Sequence, residues 1–299
     1  MQKNISLYRN FLSPVAARKL RNEFADVYKN PRATPNKRFV WDHWQLNSQY
    51  RMHRALARDF FSASSFNHIK NQLVRFGQDQ LGCHSISEPW LSYYTEGDGQ
   101  DLHTDSPHGP WAFVYSLTPT IDFSGGETQI LKPQTLSYWS HFSRERGYEL
   151  TDLAELIPPR FNQLLVFDPR LPHGVTTVRG VRDPLKARLV LHGWFVNPEP
   201  FVVGGLKLTS ITPHLNRQLT LLLKNAAIPE TLFGTLTLAI SISRSGQVTH
   251  AKPLTNSLVD REGKNSPSQF VKEICHEFRN FRFPRSTKTS LLTLPLMFD

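Results

Sequence analysis

Two histidines and an aspartate stand in an order that could hold a metal ion. His103-Thr104-Asp105 sets an imidazole and a carboxylate two residues apart, and His173 follows the apolar run Leu164-Leu165-Val166-Phe167 and the pair Asp168-Pro169. On a strand, residues two apart share a face, so His103 and Asp105 can grip one ion while Thr104 points away. The run 164–167 reads as a core strand, with Asp168-Pro169 as the turn that ends it and delivers His173 from a distance. Two neutral imidazoles with one hard carboxylate suit Fe(II), bound on one face with the opposite positions open for a cosubstrate and O₂. In a chain with 12 His, one His-x-Asp is a weak signal, and the ordered set carries the argument.

Arg188 completes the set. It opens the strand-like alternation Arg188-Leu189-Val190-Leu191-His192-Gly193-Trp194-Phe195. A guanidinium facing inward there needs an anionic partner, because an unpaired buried charge is costly. A dicarboxylate chelating iron through one end would offer its far carboxylate, which matches the guanidinium fork. The other reading is a rim arginine paired with an acid of the chain.

Tyr94-Thr95-Glu96-Gly97, His103-Thr104-Asp105, Gly125-Gly126-Glu127-Thr128, His173, Arg188 and Trp194 follow in an order that resembles the iron- and 2-oxoglutarate-dependent dioxygenases, in particular their prolyl-hydroxylase-like branch. The resemblance covers about the first two-thirds of the chain. It implies that His103, Asp105 and His173 bind Fe(II), that Tyr94 hydrogen-bonds 2-oxoglutarate, and that Arg188 anchors its distal carboxylate. It also implies O₂ as cosubstrate, ascorbate as an auxiliary reductant, and release of succinate and CO₂. In close relatives the anchor follows the distal histidine by nine or ten positions, and Arg182 occupies the ninth. Arg188 is preferred because it stands inside the strand, whereas Arg179-Gly180-Val181-Arg182-Asp183-Pro184 reads as a turn. Halogenating members lack the carboxylate ligand, so Asp105 points to hydroxylation. Nucleic-acid dealkylating members carry a second arginine where Trp194 stands, which argues against base repair.

These residues must be set by strands. From Pro89 onward the pattern gives short strands at 90–94, 111–117, 127–131, 164–167, 174–178 and 189–196, punctuated by Gly and Pro. The expected fold is mainly β with flanking helices, an antiparallel sandwich of the double-stranded β-helix or jelly-roll type. Helices are expected at 13–28, where Ser13 can cap and Pro14 suits the first turn, and at about 50–61 and 65–81. They would pack on one sheet as a support layer. Residues 29–40 read as a solvated basic loop. The segment 132–158, with Tyr138, Trp139, Phe142 and Arg144-Glu145-Arg146, reads as an insertion bordering the site. Pro198-Glu199-Pro200 to Gly204-Gly205 marks a boundary, dividing an oxygenase domain, 1–205, from a small α+β domain, 206–299. In the latter, helices are expected at 213–225 and 266–280, and strands at 234–243, 248–251 and 291–298. Gly-x-Leu-x-Leu from Gly234, Ser245-Gly246-Gln247-Val248 and Phe281-Arg282-Phe283-Pro284 resemble the C-terminal domain of TonB-like proteins, which implies a protein-contact module without chemistry of its own.

The net charge of +10 would fit a nucleic-acid partner, but its distribution does not. Residues 41–205 hold 14 basic against 17 acidic side chains, and the excess sits on the flanks, with 9 against 2 in residues 1–40 and 12 against 6 in 206–299. Nucleic acid is therefore not expected at the site. No apolar run reaches membrane-spanning length and no secretory leader is visible at Met1–Leu12, so a cytoplasmic protein is expected. Cys83 and Cys275 fit neither a disulfide framework nor a zinc site and read as reduced thiols. The function expected is an oxygenase hydroxylating a protein or peptide side chain. The alternatives are hydroxylation of a small molecule or free amino acid, and a jelly-roll scaffold or sensor without activity. The oligomeric state is not set by the sequence.

Overall fold

The computed structural model describes residues 4–30, 32–38, 40–46, 49–132, 153–225, 231–260 and 266–298. In chain order the strands up to Pro198 are β1 (Ile5–Arg9), β2 (Asp42–Leu46), β3 (Tyr50–Leu56), β4 (Cys83–Ile86), β5 (Trp90–Tyr94), β6 (Gly99–His103), β7 (Trp111–Ser116), β8 (Thr128–Leu131), β9 (Ala154–Ile157), β10 (Gln163–Phe167), β11 (His173–Val175) and β12 (Arg188–Pro198). The chain divides into two compact units, one formed by Ile5–Gln72 and Ile86–Phe195, the other by Met1–Asn4, Leu73–Ser85 and Val196–Asp299.

The first unit is a curled antiparallel sheet in the order β1-β10-β7-β12-β5-β3-β6-β11-β8-β9, with β2 added to β3. It bears out the mainly β, jelly-roll expectation. β10 is paired on both edges and buried at every position, which explains its unbroken apolar run after Gln163. On the strands around the cavity alternation sorts side chains. In β5, Tyr93 faces a helix layer and Tyr94 the interior of the curl. The layer is the helix Pro14–Lys29, capped by Ser13, whose hydroxyl accepts from Ala16 N, with Pro14 at its start. Its buried stripe includes Ala17, Leu20, Phe24 and Val27, and Phe24 lies 6.3 Å from the Tyr93 ring and 5.6 Å from Phe60. Tilted and edge-on ring contacts of this kind join helix to sheet.

The helix expected at 50–61 is not there. Tyr50–Leu56 is β3, hydrogen-bonded between β5 and its other neighbours β2 and β6, and only Ala57–Phe60 turns helical. Arg, Met, Ala and Leu favour helix locally, and pairing on both edges overrides that preference. The second expected helix runs Ala63–Phe76 and continues as a wider turn, Gly77–Leu81, ended by Gly82 in the left-handed region at φ 68°. Of the segment 132–158, Ala154–Ile157 forms β9 against β8, while Tyr138, Trp139, Phe142 and Arg144-Glu145-Arg146 lie outside the described residues.

The second unit holds β13 (Phe201–Gly204), β14 (Leu232–Ile242), β15 (Val248–Asn256), β16 (Val259–Asp260) and β17 (Ser290–Phe298). They form a sheet in the order β13-β17-β14-β15, with β16 on β14. The helices Leu208–Asn225 and Pro267–Phe278 contribute Ile211, Leu215, Phe270 and Phe278 to a core with Leu236, Leu238, Ile240 and Leu292. This is the α+β character expected of the C-terminal part. Phe201–Gly204, where the sequence places a linker, is a strand paired with β17. Among the described residues no helix is long and apolar enough to cross a membrane.

Candidate active site

β6 and β11 run side by side, and His103 and His173 face each other in register. Asp105 lies just past the end of β6, where it caps the short turn Ser106–His108, so it is not a strand residue as the spacing suggested. Its backbone N–H donates to Pro169 O at 2.9 Å, which fastens it to the turn that delivers His173. The structure thus brings His103, Asp105 and His173 together, with one ligand atom from each within 4.8 Å of the others. His103 Nε2 and His173 Nε2 lie 3.8 and 3.4 Å from Asp105 Oδ2.

Both imidazoles are oriented the same way. His103 Nδ1 lies 2.8 Å from Asp101 O and His173 Nδ1 lies 2.8 Å from Leu171 O, so each Nδ1 carries the proton and donates it to a carbonyl. Each Nε2 is then a free lone pair aimed at the common point, the arrangement a metal-ligating histidine uses. Burial pushes the His103 pKa down, which favours the neutral ligand form. Burial also opposes ionisation of Asp105, but the polar imidazoles of His173 and His103 beside it outweigh that, and its pKa is lowered. The donor set of two neutral nitrogens and one carboxylate oxygen fits Fe(II).

Arg188 is 1% exposed and begins β12 opposite Tyr94 of β5. Its Nε donates to Gly126 O at 2.8 Å, its Nη2 donates to Thr128 Oγ1 at 3.1 Å, and its Cζ lies 4.5 Å from the centroid of the Tyr94 ring. Nη1 is buried with no partner. Desolvation lowers the Arg188 pKa, as for any cation taken from water. A buried guanidinium whose Nη1 is left over fits the far carboxylate of a dicarboxylate guest. Arg182, the other candidate from the sequence, is exposed.

The glycines ahead of β8 serve this arginine. Gly125 and Gly126 have φ of +76° and +77°, and a Cβ on Gly125 would stand 1.9 Å from Thr177 O. Only residues without a side chain let the backbone pass so close to Thr177 and turn the Gly126 carbonyl to Arg188 Nε. The Tyr94-Thr95-Glu96-Gly97 turn is held by buried Asp98, which accepts from Thr95 N, Thr95 Oγ1 and Arg51 Nε. The Tyr94 hydroxyl lies 3.1 Å from both Met52 Sδ and Gln100 Oε1.

These groups line one cavity of about 550 Å³ inside the curl. Its wall also carries Arg54, Gln100, His192 and Trp194. His192 Nε2 is 2.8 Å from Ser92 Oγ, and burial, with the charge of Arg188 beside it, pushes its pKa down to about 3. The Trp194 ring packs against His108 at 4.4 Å. The sequence singles out neither Gln100 nor Arg54, since nothing in their neighbourhood distinguishes them from surface polar residues. Of the histidines in the C-terminal part, His214 is half-buried and His250 and His276 are exposed.

Residues 89–196 match the family model described as the 2OG-Fe(II) oxygenase superfamily. No curated protein matches the chain. Solved structures similar to it include a prolyl hydroxylase from Trichoplax adhaerens in complex with a hypoxia inducible factor oxygen degradation domain peptide fragment. That similarity is at 17% identity over 64% of this chain and 83% of that one, with a TM-score of 0.44. A prolyl-4-hydroxylase from Pseudomonas putida is similar at 16% identity, over 65% and 92%, with a TM-score of 0.45. The alpha-ketoglutarate-dependent epimerase SnoN of nogalamycin biosynthesis is similar at 9%, over 64% and 75%, with a TM-score of 0.45. Residues 89–196 thus match the 2OG-Fe(II) oxygenase superfamily, whose enzymes use Fe(II), 2-oxoglutarate and O₂, and the donor set of His103, Asp105 and His173 fits that chemistry.

Proposed function

We propose that the protein hydroxylates a side chain of a protein or peptide, in the manner of a prolyl hydroxylase. The observation that carries the reading is the meeting of the His103, Asp105 and His173 donors with the unpartnered Arg188 Nη1 in one cavity. His103 Nε2, Asp105 Oδ2 and His173 Nε2 hold Fe(II). Arg188 and Tyr94 hold 2-oxoglutarate, the guanidinium taking its distal carboxylate. Bound together, metal, cosubstrate and O₂ supply the oxidising chemistry, in which 2-oxoglutarate leaves as succinate and CO₂ and one oxygen atom enters a substrate C–H bond.

The chain's own part is placement and exclusion of water. The Nδ1–H donors of both histidines fix ring orientation, and Gly126 O and Thr128 Oγ1 fix the guanidinium. Trp194 and His108 close one side of the cavity. Trp44, 39% exposed on β2, and Trp90 line the cavity, an aromatic wall that suits a peptide more than a small polar metabolite. The C-terminal residues, 206–299, would then serve as a protein-contact module for the oxygenase domain, 1–205. The compartment that suits Fe(II) and the two buried thiols, Cys83 and Cys275, is the cytoplasm.

The test is succinate formation from 2-oxoglutarate with Fe(II) and ascorbate, comparing wild type with His103→Ala. Oxygenases of this kind turn over slowly without substrate, so a small activity lost in the variant supports the cofactor chemistry. Absence of succinate from iron-loaded protein would overturn it.

A further inference from the structure

The cavity contains a second guanidinium that the cofactor reading leaves unused. Arg54 sits on β3, where Tyr50, Met52 and Arg54 alternate onto the cavity wall. Its Cζ stacks 3.7 Å from the centroid of the Trp44 ring and 4.3 Å from that of Trp90, and both rings line the same cavity. Its Nε is buried with no hydrogen-bond partner. Asp42 stands opposite on β2, yet among the described residues Arg54 forms no ion pair. The one acid near the Trp90 end of the cavity, Glu88, is paired to Arg58 at 3.5 Å.

With cofactor bound as proposed above, the two positive charges of Fe(II) and the one of Arg188 meet the one negative charge of Asp105 and the two of 2-oxoglutarate. That group cancels. Arg54 remains in a partly desolvated cavity with only Asp42, across the strand pair and beyond ion-pair distance, to offset its charge, and a ligand carboxylate would complete that compensation. Stacking on Trp44 and Trp90 holds the guanidinium plane, which favours a planar, bidentate partner over a point charge.

We propose that Arg54 receives a carboxylate of the substrate, so that this site selects acid-bearing molecules. In a peptide the carboxylate would be an acidic side chain or the C-terminus, and the chemistry of recognition is the same. The inference rests on the cofactor reading above, because Arg54 is left over only if Arg188 takes the distal carboxylate of 2-oxoglutarate.

The experiment is titration calorimetry on full-length protein loaded with Mn(II), a redox-inert stand-in for Fe(II), and 2-oxoglutarate. Four probes are compared: N-acetylglutamate α-amide against N-acetylglutamine α-amide, and N-acetylglycine against its amide. The expected result is that at least one acid binds about tenfold or more tightly than its amide, the ratio made by 1.4 kcal/mol. The pair that shows it distinguishes a side-chain from a terminal carboxylate. Arg54→Gln should erase the preference and Arg54→Lys retain part of it. Equal binding of acid and amide, no binding by any probe, or a preference that survives Arg54→Gln but vanishes in Arg188→Met would overturn the proposal. Binding of 2-oxoglutarate is measured first in the same cell, and its failure would take down the cofactor reading together with this one.

Discussion

His103 and His173 are direct cross-strand partners, with ring centroids 4.5 Å apart and each Nδ1 engaged by the carbonyl two residues before it. Residues far apart in the chain are therefore fixed by backbone pairing before any metal arrives, and only Asp105 sits outside the ladder. Removing one ligand should weaken the site without dismantling the sheet. His173→Ala and Asp105→Ala are each expected to lower Mn(II) or Fe(II) affinity by roughly 10²-fold or more. Calorimetric metal titration checks this, with far-ultraviolet circular dichroism as a control for folding.

Arg188→Met should raise the 2-oxoglutarate concentration needed for half-saturation by at least roughly 30-fold, the effect of about 2 kcal/mol or more for truncating a buried charge partner. Metal affinity should stay within a few-fold of wild type, because Arg188 bonds Gly126 O and Thr128 Oγ1 and no metal ligand. Equal loss of metal and 2-oxoglutarate binding would count against its assignment as anchor.

His192 makes acid stability testable. Burial drives its pKa down to about 3, below the ordinary value near 6.5, so the folded state prefers the neutral ring. The stability this contributes is complete above the unfolded pKa and is lost as pH falls from about 6.5 towards 3. Between pH 7 and pH 4 the Tm of metal-free wild type should fall further than that of His192→Gln, by at least about 2–4 °C, the shift made by 1 kcal/mol in a chain of this size. Parallel curves for the two proteins would sink the argument.

Asn162 ties the N-terminal segment to the sheet. At φ +58°, its Oδ1 accepts from Leu12 N and the Tyr115 hydroxyl, and its Nδ2 donates to Leu12 O. Asn162→Ala strands these buried groups and puts a Cβ-bearing residue in the left-handed region without compensation, for a loss of about 2–4 kcal/mol. Asn162→Gly relieves the backbone part only, so its Tm should lie between those of wild type and Asn162→Ala, while 2-oxoglutarate affinity stays unchanged in both.

Much of the site was legible because its signals are local. The strand pattern gave β5, β7, β10 and β12 to within a residue or two, β10 as an unbroken apolar run and β12 by alternation, and with β12 came the inward placement of Arg188 over exposed Arg182. Gly125-Gly126 was visible as a turn, though its job of aiming a carbonyl at Arg188 was not. What the sequence hid depends on partners far away in the chain. Tyr50–Leu56 carries helix-favouring residues and becomes a strand because β2, β5 and β6 pair with it. That one misreading also concealed Arg54, which reaches the cavity only as a strand residue. Asp105 was brought to the site for the wrong reason, since the turn tethered to Pro169 O, and not strand alternation, directs it.

β12 divides its labour by parity. Arg188, Val190, His192 and Trp194 line the cavity, while Leu189, Leu191 and Phe195 are fully buried on the opposite face. Because the two sets point opposite ways, exchanging Val190, His192 or Trp194 alters what the cavity accepts while Leu189, Leu191 and Phe195 keep their packing. Substrate choice can therefore drift, in evolution or in a selection experiment, on one face of the strand without touching the other.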